Sequence, residues 1–181
     1  MKDDLHKEIE LPSTVQARFV GKILHVKGPK GEVVRAFIHP KVTLTVEGNK
    51  IVVISLKATK REKSNLSTFV AHIKNIIKGV QEHHVYKMKI CSGHFPMTVS
   101  VSGQEFIVKN FLGESVARKV TLPAGVQVKV SGTEILIESA DKELAGMTAS
   151  KIELLCKIRN RDVRIFQDGC YMVHKAGKEI A

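Results

Sequence analysis

One alternation of apolar and polar positions occurs twice along this chain. Val42, Leu44 and Val46 alternate with polar residues, Glu47-Gly48-Asn49 supplies a permissive backbone, and the apolar run Ile51-Val52-Val53-Ile54 follows. That pattern predicts a strand, a tight turn and a second strand. Upstream, Phe19-Val20, Ile23 with Leu24 and Val26, and Val33-Val34 are separated by Gly21 and by Gly28-Pro29-Lys30-Gly31, so the opening third reads as mostly antiparallel sheet. The period then changes. Leu66, Phe69, Val70, Ile73, Ile76, Ile77 and Val80 are spaced three or four apart, which predicts a helix of about four turns with one apolar face and Gly79 as its stop.

The same order returns roughly 80 residues later, a period that signals an internal repeat. Val99 and Val101, then Phe106 with Val108, and then Val126, Val128 and Val130 lead through Ser131-Gly132-Thr133 to Ile135 and Ile137. Gly31-Glu32 answers Gly113-Glu114, and Val42, Leu44, Val46, Gly48, Ile51 and Val53 answer Val126, Val128, Val130, Gly132, Ile135 and Ile137, at offsets of 82 and 84. Val70, Ile73 and Ile76 answer Ile152, Leu155 and Ile158 in a second helix, expected to begin after Asp141, whose carboxylate suits the free amides of a helix start. The expected fold class is therefore α+β: two tandem duplicated domains, each a mainly antiparallel β-sheet packed by one α-helix. The first spans 1–82 and the second 83–181 with a basic C-terminal tail, joined near 82–86.

Charge changes this picture. The chain carries 29 Lys and Arg against 18 Asp and Glu, net +11, which favours a nucleic acid, an anionic membrane surface or an acidic protein as partner. In the second half the excess is local: residues 157–178 hold six Lys or Arg and two Asp, net +4, whereas 90–156 hold six against seven, net −1. No apolar run approaches the roughly 20 residues needed to span a bilayer, and no apolar signal core follows Lys2, Asp3 and Asp4, so a cytoplasmic chain without a membrane partner is expected. Cys91, Cys156 and Cys170 form no CxxC pair, in keeping with a reducing compartment. Without Trp and with two Tyr, little material exists for a platform that stacks single-stranded bases.

Candidate chemistry is sparse. Gly28-Pro29-Lys30-Gly31 lacks the GKS or GKT ending of a phosphate loop and runs into a strand, so it reads as a turn. His83, His84, Cys91 and His94 lie within twelve residues; they define a rival reading, a small metal-dependent enzyme using His83, Cys91 and His94, although Cys91-x-x-His94 is only half of a zinc finger. No nucleophile elbow, HExxH helix or spaced carboxylate pair occurs, so no enzyme, cofactor or small-molecule substrate is expected. Among the basic groups, Lys57, Lys60, Arg61 and Lys63 precede helix one and read as solvated charge; Lys87 and Lys89 open the second domain; Arg118 and Lys119 end a strand. Lys157 and Arg159 fall at the negative end of helix two, which by itself explains two cations. Arg159, Arg161 and Arg164 are followed by Ile165, Phe166, Tyr171 and Val173, expected to pin the segment to the body around a tight turn at Asp168-Gly169, leaving the guanidinium forks outward for phosphate oxygens. A basic adaptor for an acidic protein is the other alternative.

At this point the chain resembles the large-subunit ribosomal protein L-six family, called L-nine in eukaryotes. The resemblance rests on Val26-Lys27-Gly28-Pro29-Lys30-Gly31, Ile77-Lys78-Gly79-Val80, Tyr86-Lys87-Met88, His94-Phe95-Pro96, Asn110-Phe111-Leu112-Gly113-Glu114, and the run from Asn160 through Arg161, Arg164, Phe166, Asp168 and Gly169 to Tyr171. The His-Phe-Pro and Asn-Phe-Leu-Gly-Glu pieces are similar to the archaeal and eukaryotic branch; the chain departs from the family at Cys170. The resemblance implies a structural, non-enzymatic component of the large ribosomal subunit that binds large-subunit rRNA near the stalk base and the sarcin-ricin loop region. Its partners would be neighbouring large-subunit ribosomal proteins, with translation factors nearby. It directs Lys87, Lys89, His94, Asn110, Arg159, Arg161, Arg164 and Lys175 toward rRNA, and the basic Lys109, Arg118, Lys119 and Lys157 join them as expected rRNA-binding residues, with no metal and no cofactor.

Overall fold

Every strand pairing in the computed structural model, which describes residues 3–180, is antiparallel. Met1, Lys2 and Ala181, which the expected domain bounds and the reading of the amino terminus include, lie outside the described residues. The chain divides between His83 and His84 into two units. Among the described residues no helix is long and apolar enough to cross a membrane.

The first unit contains β1 (Asp3–Glu10), β2 (Gln16–Val20), β3 (Ile23–Gly28), β4 (Gly31–Ala36), β5 (Thr43–Glu47), β6 (Lys50–Ala58) and α1 (Lys60–Gln81). Two sheets, β1-β6-β5 and β2-β3-β4, enclose the apolar face of α1. Gly28-Pro29-Lys30-Gly31 is a hairpin turn, with Gly28 opposite Gly31. Thr59 and Glu62 form a capping box, so Lys60, Arg61 and Lys63 lie inside the first turns of α1 rather than before it. Gly79 does not stop the helix: it lies inside, and α1 runs on to Gln81. Val80 supplies the reason, since it is fully buried. Burying a valine stabilises by about 1.5–3 kcal/mol, which outweighs the roughly 1 kcal/mol that an interior glycine costs a helix.

The second unit repeats this plan with β7 (His84–Cys91), β8 (Thr98–Ser102), β9 (Glu105–Lys109), β10 (Arg118–Thr121), β11 (Val126–Ser131), β12 (Glu134–Ser139) and α2 (Lys142–Leu155), then adds β13 (Gly169–Lys175) and β14 (Lys178–Glu179). Its sheets are β10-β9-β8 and β11-β12-β7-β13-β14. The hairpins superpose in register: Leu44 opposite Val53 and Val46 opposite Ile51 become Val128 opposite Ile137 and Val130 opposite Ile135. Gly48 and Gly132 turn both corners at φ +57° and +58°, a region open to glycine. Asp141 caps α2 as expected, its carboxylate accepting from the Glu143 N–H at 2.8 Å.

The helices match less completely. α2 ends at Leu155, and Ile158 lies beyond it, half-buried, although the repeat placed Ile158 opposite Ile76. The chain leaves the helix at Cys156 because it must return to lay β13 along β7, with Gly169 opposite Cys91. Arg118 and Lys119 open β10 rather than ending a strand. The core of this unit gathers Met88, Phe106, Phe111, Ile135, Ile137, Ala149 and Ile152, with Cys156 and Cys170 at its edge toward the tail.

Candidate nucleic-acid interface

Three connections emerge at one end of the second unit: residues 92–97 between β7 and β8, 110–117 between β9 and β10, and 156–168 between α2 and β13. Antiparallel pairing brings them together, because Cys91 faces Gly169 and Thr98 faces Lys109 at the strand ends they leave from. Side chains then join them. The Asn110 amide donates to the Pro96 carbonyl at 2.9 Å. Phe95 lies against the turn at Gly113, where a Cβ would make an ordinary 3.7 Å contact with its ring, and the φ of +82° is what favours glycine there. Asn110 and Leu112 both hold left-handed backbone, φ +58° and +51°, which Asn tolerates and Leu does not favour.

Asp168 is the fixed point. Its carboxylate is 3% exposed and accepts from the backbone N–H groups of Gly93 and His94 while facing the His94 ring Nδ1. Burial works to raise its pKa, but the bonds from His94 and Gly93 outweigh burial and hold the carboxyl below the ordinary carboxylate range. Asp168-Gly169 is therefore not the tight turn the sequence suggested: Gly169 begins β13, and the aspartate ties the tail to the 92–97 loop. His94 also stacks on Phe166, with centroids 4.5 Å apart, and Arg161 lies over the same Phe166 ring at 4.9 Å.

Arg118 does something the sequence did not show. Its guanidinium grips Glu114 with both ends, Nε at 2.8 Å and Nη2 at 2.6 Å. It also donates to the carbonyls of Leu155 at 2.7 Å and Lys157 at 3.3 Å, and lies 4.2 Å over the Phe111 ring. It thus satisfies carbonyls at the end of α2 and joins that end to the 110–117 loop. Its hydrogen bonds, and secondarily the charges of Arg118 and Arg161, hold the Glu114 carboxyl below its ordinary range despite a little burial.

The structure gathers His94, Asn110, Arg118, Lys157, Arg159, Arg161 and Arg164 at this end, with Lys109 at its margin. Lys157, Arg159, Arg161 and Arg164 are exposed, Arg164 with a bidentate pair to Asp162 (2.7 Å at Nη2) that still leaves its side chain 86% exposed. Lys89 is exposed on the outer face of β7. Lys87 and Lys175 are not part of the cluster. Lys87 lies opposite His174 and Lys175 opposite Tyr86, near the far end of β13, where Lys175 is six residues from Gly169, or about 20 Å along the strand. Lys119 is exposed and pairs with Glu105 at 3.5 Å. Ile165, Tyr171 and Val173 do not pin the tail: they are 65%, 41% and 39% exposed. Phe166, Asp168 and Cys170 hold it instead. Ile165 and Tyr171, with Ser92, His94 and Gln167, line an open depression of about 730 Å³ beside the cations.

The metal rival loses its geometry. A His83 ring nitrogen meets the Lys30 carbonyl at 2.9 Å, and His84 is buried in β7. Among the described residues, no three His, Cys, Asp or Glu side chains are grouped to hold a metal ion. Asp168 and Glu114 are the residues that the reading of chemistry missed, whereas Phe166 helps to pin the tail as expected. Asp168 meets His94 from 74 residues away, so no local spacing announces it, whereas Glu114 stands only four residues before Arg118.

The sequence model of the ribosomal protein L6 family matches this chain twice, over residues 11–83 and 95–169. The chain is 45% identical to the large ribosomal subunit protein uL6 of Nanoarchaeum equitans, over 96% of this chain and 94% of that one. It is 40% identical to the protein of the same name from Methanococcus vannielii, over 96% of each.

Proposed function

The chain belongs to the ribosomal protein L6 family, and from that premise we propose that it is a structural, non-enzymatic component of the large ribosomal subunit whose second unit anchors on large-subunit rRNA. The convergence of the 92–97, 110–117 and 156–168 segments carries this reading: residues far apart in sequence meet to present Lys157, Arg159, Arg161 and Arg164 on a braced surface. The RNA lies near the stalk base and the sarcin-ricin loop region, with neighbouring large-subunit proteins alongside and translation factors docking close by.

Anchoring is electrostatic. Arginine forks suit phosphate oxygens, and each phosphate neutralised releases counterions. Fit comes from shape, because the deep groove of an A-form helix excludes side chains and RNA surfaces are recognised mainly by their contour. Arg118, Asp168, His94 and Phe166 keep the three segments in one arrangement, so the cations arrive pre-positioned and less ordering entropy opposes binding.

Changing Arg159, Arg161 and Arg164 together to Ala tests this. Binding to large-subunit rRNA should weaken without loss of fold, and the slope of log affinity against log salt should fall by about 2, at roughly 0.7–0.9 per phosphate contact. An unchanged slope in a folded triple variant would overturn the assignment. Sedimentation of the chain with large subunits, lost on nuclease treatment, separates RNA anchoring from capture by an acidic protein.

A further inference from the structure

The segment that carries the exposed arginines is bracketed by two cysteines that the rRNA reading leaves unused. Cys156 closes α2, and Cys170 is the second residue of β13. Both are buried, 3% and 1% exposed, and neither is in a disulfide. Their sulfurs are 3.6 Å apart although the residues are 14 apart in sequence. A surface groove of about 400 Å³, bordered by Leu154, Val163 and Phe166, includes both cysteines in its lining, which marks the route a small oxidant would take.

We infer that Cys156 and Cys170 are a reversible disulfide site, oxidised by a peroxide and reopened by thiols, that closes a covalent loop around the basic segment 157–169. The sulfurs need to approach from 3.6 Å to about 2.0 Å, a shift within reach of side-chain rotation. The environment separates the roles of the two thiols. The hydrogen bond from Cys170, and then the charge of Arg118, hold Cys156 below the ordinary thiol range against burial, whereas Cys170 is pushed up and keeps its proton. The Cys156 thiolate attacks a peroxide oxygen, breaking the O–O bond to give a sulfenic acid and hydroxide, and the hydroxide takes up the proton that Cys156 had released, forming the first water. The Cys170 sulfur then attacks the sulfenic sulfur and water leaves, carrying the Cys170 proton. Two thiols and one hydrogen peroxide thus become one disulfide and two waters. Cys91, half-buried at the end of β7, stays outside the reaction.

The site does not depend on the RNA reading, and thiol counting tests it on the full chain. The folded protein and its Cys91→Ser variant are exposed to hydrogen peroxide near neutral pH, then denatured, alkylated and mapped by mass spectrometry. Free thiols should fall from three to one in the parent and from two to none in the variant. The map should show a Cys156–Cys170 crosslink, 2 Da lighter than the paired thiols and opened by dithiothreitol. Unchanged thiols, sulfinic acid at Cys156 without a crosslink, a crosslink through Cys91, or only intermolecular dimers would each overturn it.

Discussion

Replacing Asp168 with Ala removes one acceptor group from three donors at once: the N–H groups of Gly93 and His94 and the His94 ring. Hydrogen bonds to a charged group contribute about 1.5–3 kcal/mol each, and a buried N–H left without a partner costs about 1–3 kcal/mol. Residues 92–96 are exposed, so water replaces part of what is lost. The expected cost to the second unit is therefore about 2–4 kcal/mol, a large share of the 5–15 kcal/mol typical of a whole domain. Asp168→Asn keeps an oxygen for the two N–H groups and loses the charge, so about half that cost is expected. Hydrogen exchange at the Gly93 and His94 amides reports the contact, and exchange at Ile137 in the core reports the unit. The pH dependence has a fixed sign. The folded carboxyl lies below its unfolded value, so its stabilisation is complete above about pH 5 and fades as pH falls through the folded value. The advantage over the Asn variant should shrink in the same window. A cost under about 0.5 kcal/mol for Asp168→Ala, or unaltered exchange at Gly93 and His94, would refute the bracing role.

Arg118→Lys should lose about 1–2 kcal/mol of stability in urea unfolding, because an ammonium cannot hold Glu114 at two points and also reach the Leu155 and Lys157 carbonyls. Its rRNA salt slope should stay near the parent value; a drop as large as that of the arginine triple variant would make Arg118 a direct phosphate contact. Gly28→Ala should lower the thermal midpoint of the first unit by the equivalent of about 1–3 kcal/mol, since the added carbon would stand 2.7 Å from the Val80 carbonyl, which also accepts from the Lys30 N–H. Gly146→Ala sets a new carbon 3.0 Å from the Tyr86 hydroxyl, so it should be neutral or harmful alone. In a Tyr86→Phe background it should stabilise α2 by up to about 1 kcal/mol, and the difference, read from a double-mutant cycle, measures the clash.

Much of the fold was legible in the chain itself. Alternation around Gly48 and Gly132, the apolar stripe from Leu66 to Val80 and the cap at Asp141 are local signals, decided by backbone period and by what a turn or helix end requires, and the repeat doubled their weight. β1 was invisible for the opposite reason. Only Ile9 among its eight residues is buried, and it becomes a strand by pairing with β6, over 40 residues away. The candidate interface divides along the same line. Composition and the resemblance pointed to the tail, and its arginines are exposed there. Tertiary contact alone decided that Asp168 braces a loop instead of turning one, that Arg118 reaches the end of α2, that Lys87 and Lys175 stand apart, and that two distant cysteines touch. A charge reads the same in any sequence; its role is set by which donors, acceptors and rings the folded chain brings within about 3–5 Å of it.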